Sequence, residues 1–199
     1  MDRKQLEAAA ASNHYLRGLL AVPFGLVLIA SGLGNMEWGP FRDLWTVPVA
    51  IVVAGGLYLL GVRYYNDHYG RVTLRTGRMR NIPTLATIGA VAMMIGGPIL
   101  VQVLDLPLNG FGVAWATVAL GFYAVTVGLR PYHVVIWGAV LVASLVPLWG
   151  DPSTTDTPNI GLLIIGAAAI VTGLLDHRLL VRTFGSPADV DLEDTRAAT

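Results

Sequence analysis

The side chains best equipped for chemistry in this chain are four histidines, His14, His68, His133 and His177, two of them directly preceded by an acid in Asp67-His68 and Asp176-His177. Neutral imidazole and carboxylate are proper ligands for zinc and related metals. Yet no His-x-x-x-His or Glu-x-x-His pair brings two of them onto one helical face, and polar residues gathering at a membrane boundary account for their placement. The sequence therefore predicts no metal and no cofactor. A second group begins at Arg63-Tyr64-Tyr65 and runs through Asp67, His68 and Tyr69 to Arg71, Arg75, Arg78 and Arg80. Arginines so placed first set membrane topology. They also suit anionic headgroups, at about 1 kcal/mol per basic residue near the surface, and arginine with tyrosine is a favoured composition for protein contacts. With Arg178 and Arg182 after the last apolar run, these residues form the candidate partner or lipid contact.

Other chemistries find little footing. The only lysine is Lys4, so the lysine of a phosphate-binding loop is missing. Ser31 lies in Ile-Ala-Ser-Gly-Leu, outside any nucleophile elbow and with no histidine at its depth. Cysteine is absent, which removes disulfide and thiol chemistry. Nothing points to nucleic acid, and no catalytic signature emerges. Gly96-Gly97-Pro98 is the one candidate hinge, because proline removes a backbone donor and clashes one turn back while the glycines soften its surroundings.

The elements that must carry these residues follow from composition. The 199 residues are 54% hydrophobic and only 13% charged, with a mean hydropathy of +0.62, whereas soluble domains carry about 25% charged residues. Six apolar runs are long enough to cross a bilayer: 18–36, 44–62, 83–104, 111–129, 132–149 and 160–175. They do not alternate as barrel strands would. The expected fold is thus all-α, an integral membrane bundle of six transmembrane helices.

Charge placement orients it. Twelve of the thirteen basic residues fall on one side of this arrangement and Arg42 alone on the other, which puts both N- and C-termini in the cytoplasm. Residues 1–17 read as a cytoplasmic interfacial segment and not as a cleavable signal peptide. Residues 18–180 form the membrane domain, and 181–199 a cytoplasmic tail expected to be disordered. Trp38, Trp45 and Trp149 mark the outer interface and Tyr64, Tyr65 and Tyr132 the inner; Trp115 and Trp137 could be further anchors. Every run holds a small-xxx-small pair, such as Ala30/Gly34, Ala50/Ala54 and Ala169/Gly173, which permits close helix approach. The pair Asn109-Gly110 reads as a tight turn. Arginine-rich, alanine- and glycine-rich usage points to a bacterial plasma membrane.

The leading functional expectation is a non-catalytic accessory or permease-like subunit that docks a partner through its basic cytoplasmic loop. The alternative is a self-contained, oligomeric small-molecule transporter or channel with its path near Thr87, Gln102 and Thr126. It would lack an intramembrane charged coupling group, since no ionisable residue falls in the middle of a run. An enzyme working at the cytoplasmic headgroup level comes third.

Overall fold

The computed structural model describes residues 16–69, 88–89, 91–93, 95–97, 99–101, 103–106, 108–126, 128–146 and 156–184. Among them there are helices and turns and no strands. A 3-10 turn, Gly18–Leu20, leads into α1 (Ala21–Asn35); α2 spans Thr46–Tyr69, α3 Gly110–Thr126, α4 Pro131–Leu145 and α5 Asp156–Phe184. A shorter apolar helix, Val91–Val101, lies between α2 and α3.

Three helical segments are long and apolar enough to cross a membrane: Gly18–Asn35, Thr46–Tyr69 and Asn159–Thr183. The helices Gly110–Thr126 and Pro131–Leu145 are apolar but shorter. At 1.5 Å per residue they measure about 25 and 22 Å, against a hydrocarbon core of roughly 30 Å. Their apolar runs outlast their helices for local reasons. Gly128 takes a positive φ of 82°, and Arg130 is extended before Pro131 starts α4 from its first turn. Val146, apolar but extended at φ −101° and ψ 128°, closes α4. In contrast, α5 outruns its apolar stretch at both ends and carries residues 181–184, assigned by sequence to the tail, as helix.

Asn109 caps α3 instead of merely turning the chain. Its Oδ1 accepts the Gly112 N–H at 3.0 Å, a donor the helix itself leaves without a partner. Its own N–H donates to the Ser144 carbonyl at 2.9 Å, tying the start of α3 to the end of α4.

Glycine sets how the bundle packs. The most extensive helix pairing is α1 against α5, running antiparallel. Gly18 meets Gly173, Gly25 meets Gly166, and Gly32 meets Asn159. Each step of seven along α1 is matched by a step of seven back along α5. A Cβ on Gly25 would lie 2.6 Å from the Gly166 carbonyl oxygen, and one on Gly166 would lie 2.7 Å from that of Gly25. The two backbones are therefore in contact, the arrangement that drives helix association where apolar burial gives no advantage. Of the expected small-residue pairs, only Gly173 belongs to this seam. Where α1 ends and α5 begins, Asn35 Nδ2 donates to Asn159 Oδ1 at 3.0 Å.

The second half of the molecule is α3 and α4, which join α5 around a core of Ala116, Trp137, Val140, Ile165, Ala168 and Ala169. Trp137, at 4% exposure, is thus a core residue and no interfacial anchor. Helix α2 is different. Only Ala54 and Tyr65 are buried along it, while Val49, Ile51, Val52, Val53, Leu59 and Leu60 are all exposed. A face of that size is suited to a hydrocarbon phase and not to water.

Candidate functional site

The described polar residues of unusual type converge on one end of the bundle, where α1 starts, α2, α3 and α5 finish and α4 begins. Asp176 is at the centre. It is 2% exposed, two turns inside the end of α5, and its carboxylate accepts three hydrogen bonds from two other helices. Tyr132 O–H donates to Oδ1 at 2.6 Å and His133 Nε2–H to the same oxygen at 2.9 Å, both from α4. Tyr123 O–H on α3 donates to Oδ2 at 3.0 Å. His133 is completely buried and stacks on the Tyr123 ring, with centroids 3.6 Å apart. Its Nδ1 accepts the Arg130 N–H at 3.3 Å, which leaves the ring proton on Nε2, facing the carboxylate. An ionised carboxyl accepts only, and here every neighbour is a donor. Both Asp176 oxygens and both His133 nitrogens are occupied, so the cluster is a clasp joining α3, α4 and α5.

A second cluster lies on the neighbouring face of α5. Tyr65, fully buried near the end of α2, packs with Leu16 and Leu180. Its phenolic oxygen accepts the Leu19 N–H at 3.1 Å and shares a hydrogen bond with His177 Nδ1 at 3.0 Å. The Arg17 guanidinium sits 5.7 Å over the Tyr65 ring and donates to Asn66 Oδ1 at 3.1 Å. Tyr64 rests against Tyr65, His68, Tyr69 and His177. The N-terminal turn, α2 and α5 are thereby held together next to the Asp176 clasp.

These contacts redistribute the residues that the sequence offered to a partner. Tyr65 is wholly internal and presents nothing outward; Tyr64 and Tyr69 are half-buried in the same cluster. Arg63, Asp67, His68, Arg178 and Arg182 stay exposed at this end, with Arg63 and Asp67 forming a solvent-facing pair at 3.6 Å. Arg71, Arg75, Arg78 and Arg80 lie outside the described residues, as do His14, Trp149, Thr87, Gln102 and Pro98. Gly96 and Gly97 are helical, with Gly97 close to Ala114. Thr126 donates its hydroxyl to the Phe122 carbonyl at 2.6 Å. Among the described residues, no group of three His, Asp or Glu side chains is arranged to hold a metal ion.

Asp176 and His133 are the residues that reading by runs passed over. Both fall just outside an apolar run or within its first residues, so each looked interfacial. The signal was in the spacing: Ile165, Ala168, Thr172, Asp176 and Leu180 step by three or four along one buried stripe of α5, and His133, Trp137, Val140 and Ser144 along one of α4. A polar residue on such a stripe is turned inward wherever the run ends.

An all-helical chain with helices able to cross a bilayer, clasped at one end by a buried carboxylate, has the make-up of a helical membrane protein. No protein-family model, curated protein or solved structure matches it.

Proposed function

We propose that this chain crosses the bacterial plasma membrane six times with both ends in the cytoplasm, and serves as a non-catalytic accessory or permease-like subunit that docks a partner through its arginine-rich loop. The twelve-to-one split of basic residues supports the topology. So does the gathering of Arg17, Arg63, Arg130, Arg178 and Arg182 at one end of the bundle while Arg42 pairs with Glu37 outside α1 and α2 at the other. The short helices α3 and α4 would span a locally thinned bilayer or one completed by their non-helical apolar ends.

The observation that carries the docking role is the Tyr65 cluster. It fixes the end of α2 to α5 and to the N-terminal turn, so the loop that follows Tyr69 starts from a rigid base. Around that base Arg63, Arg178 and Arg182 point outward, suited to a partner's acids or to anionic headgroups. Purification in mild detergent should recover a stoichiometric partner that is lost when Arg71 and Arg75 are changed to glutamate. A protein that purifies alone and moves solute in liposomes would sink this reading.

Transport is the second reading, now with a coupling group that the apolar runs did not offer: the buried Asp176 is what favours it. Ionisable residues inside membrane bundles commonly mark ion or proton paths. Under that reading, Asp176→Asn abolishes flux in liposomes while leaving the protein folded. Flux that survives the change would exclude Asp176 as the coupling group.

A further inference from the structure

One helical turn deeper than the His133–Asp176 pair, two further polar groups have no hydrogen-bond partner: the Trp137 indole Nε1–H on α4 and the Thr172 hydroxyl on α5. Both residues are buried, at 4% and 1% exposure. Their positions correspond. Trp137 follows His133 by four residues, Thr172 precedes Asp176 by four, and the helices run antiparallel, so each lies on the same face as its polar neighbour and level with the other. Trp137 accordingly packs in the core with Ala168 and Ala169, the turn of α5 next to Thr172.

Thr172 stands out among the helical hydroxyls. Thr117, Thr126, Ser144 and Thr183 each donate to the carbonyl four residues back, at 2.6 to 2.8 Å, the usual way such a side chain is satisfied inside a helix. Thr172, more buried than any of these but Ser144, does not. Its hydroxyl makes no bond to its own backbone. Leaving a donor and a hydroxyl unpaired at one level of an apolar core is costly for both, and one small molecule that accepts from the first and bonds the second relieves both.

We propose that Trp137 and Thr172 hold a buried water molecule between α4 and α5, its oxygen accepting the indole N–H and one of its protons donated to Thr172 Oγ1. Its place would be directly beneath the Asp176 clasp, carrying the polar column one turn further into the bundle. Two polar partners are the minimum that keeps an internal water in place.

The indole N–H vibration tests this in the full chain in lipid nanodiscs, as the ultraviolet resonance Raman difference between the wild-type protein and Trp137→Phe. The expected Trp137 component is hydrogen-bonded, shifts toward the unbonded position in Thr172→Val, and returns in Thr172→Ser. A component at the unbonded position in the wild type overturns the proposal, and so does one that Thr172→Val leaves in place. Thermal unfolding gives a second reading. With water present, Thr172→Val leaves it a partner short and lowers the melting temperature by several degrees; a raised or unchanged melting temperature means that the hydroxyl was bonded to nothing, and refutes the site. If Thr172→Val does not fold, the wild-type difference spectrum still decides.

Discussion

Replacing Asp176 with alanine takes both acceptor oxygens away from three donors at once, and the cost can be worked from their surroundings. Tyr132 is only partly buried, so its hydroxyl can turn to water or headgroups and lose little. Tyr123 and His133 cannot escape as easily, since their rings are stacked on each other and His133 is fully enclosed. Two donors held away from water by this packing and left unpaired cost about 1–3 kcal/mol each. Against this stands the relief of no longer desolvating a carboxylate, which often offsets much of the value of a buried charge. A net loss of about 3 kcal/mol follows, and at about 2–4 °C per kcal/mol for a chain of this size the melting temperature should fall by about 6–12 °C. Tyr132→Phe removes a single bond and should cost about 1 kcal/mol. Asp176→Asn should fall between them, because its amide keeps one acceptor and turns an NH2 group toward a donor. The absence of cysteine rules out thiol-reactive dyes, but the five tryptophans allow unfolding to be followed by intrinsic fluorescence. Because membrane proteins often unfold irreversibly, variants are ranked at one fixed scan rate. If Asp176→Ala melts within about 1 °C of the wild type, or above it, the clasp adds nothing to stability and the hydrogen-bond argument is wrong.

The glycine seam can be tested by contrast. Gly166→Ala places a methyl group against the Gly25 carbonyl and Ile29 and should cost about 1–3 kcal/mol by overpacking, whereas Gly55→Ala, with nothing within 4 Å, should cost nothing; equal melting temperatures for the two would refute backbone contact between α1 and α5. Tyr65→Phe orphans the Leu19 N–H and the bond to His177, for a loss of about 1–3 kcal/mol; faster hydrogen exchange at Leu19 is the local readout, and unchanged exchange counts against the bond. A reporter enzyme fused after Thr199 should be active only in the cytoplasm, and periplasmic activity would overturn the six-span orientation.

Much of this architecture is written in the sequence, though not all in the same code. Hydropathy locates helices well because lipid demands one thing of every exposed position. It overstates the helices at Leu129 and Val146, which stay apolar after the helix has ended. The glycine seam was legible as well, since Gly18, Gly25 and Gly32 on one helix and Gly166 and Gly173 on another repeat every seven residues. Small-residue pairs spaced by four, abundant in any alanine- and glycine-rich chain, drew attention away from that longer period. The clasp was half legible. Asp176 and His133 lie on buried stripes, but their pairing requires that α4 and α5 be neighbours and antiparallel in one particular register, which local pattern does not encode. Tyr65 was misread for a related reason. An inner-boundary tyrosine looks the same in sequence whether it faces headgroups or a neighbouring helix, and only the approach of Leu16 and Leu180 decides.

The stretch of α5 from Thr172 to His177 brings together more helices than the ends of α2 and α5 that the sequence singled out. At 100° per residue, Gly173 and His177 share one face, and Thr172 and Asp176 share another about 100° away. The first face takes Gly18 beside α1 and Tyr65 from α2; the second takes Tyr123 from α3 and Tyr132 and His133 from α4. The adjacent pair Asp176-His177 that first invited a metal reading is instead a branch point, each side chain serving a different half of the bundle. Neither residue is free to ligate with the other, because consecutive positions on a helix diverge. The same divergence lets a single turn of one helix hold four others, and it makes this turn the place where a substitution would loosen both halves together.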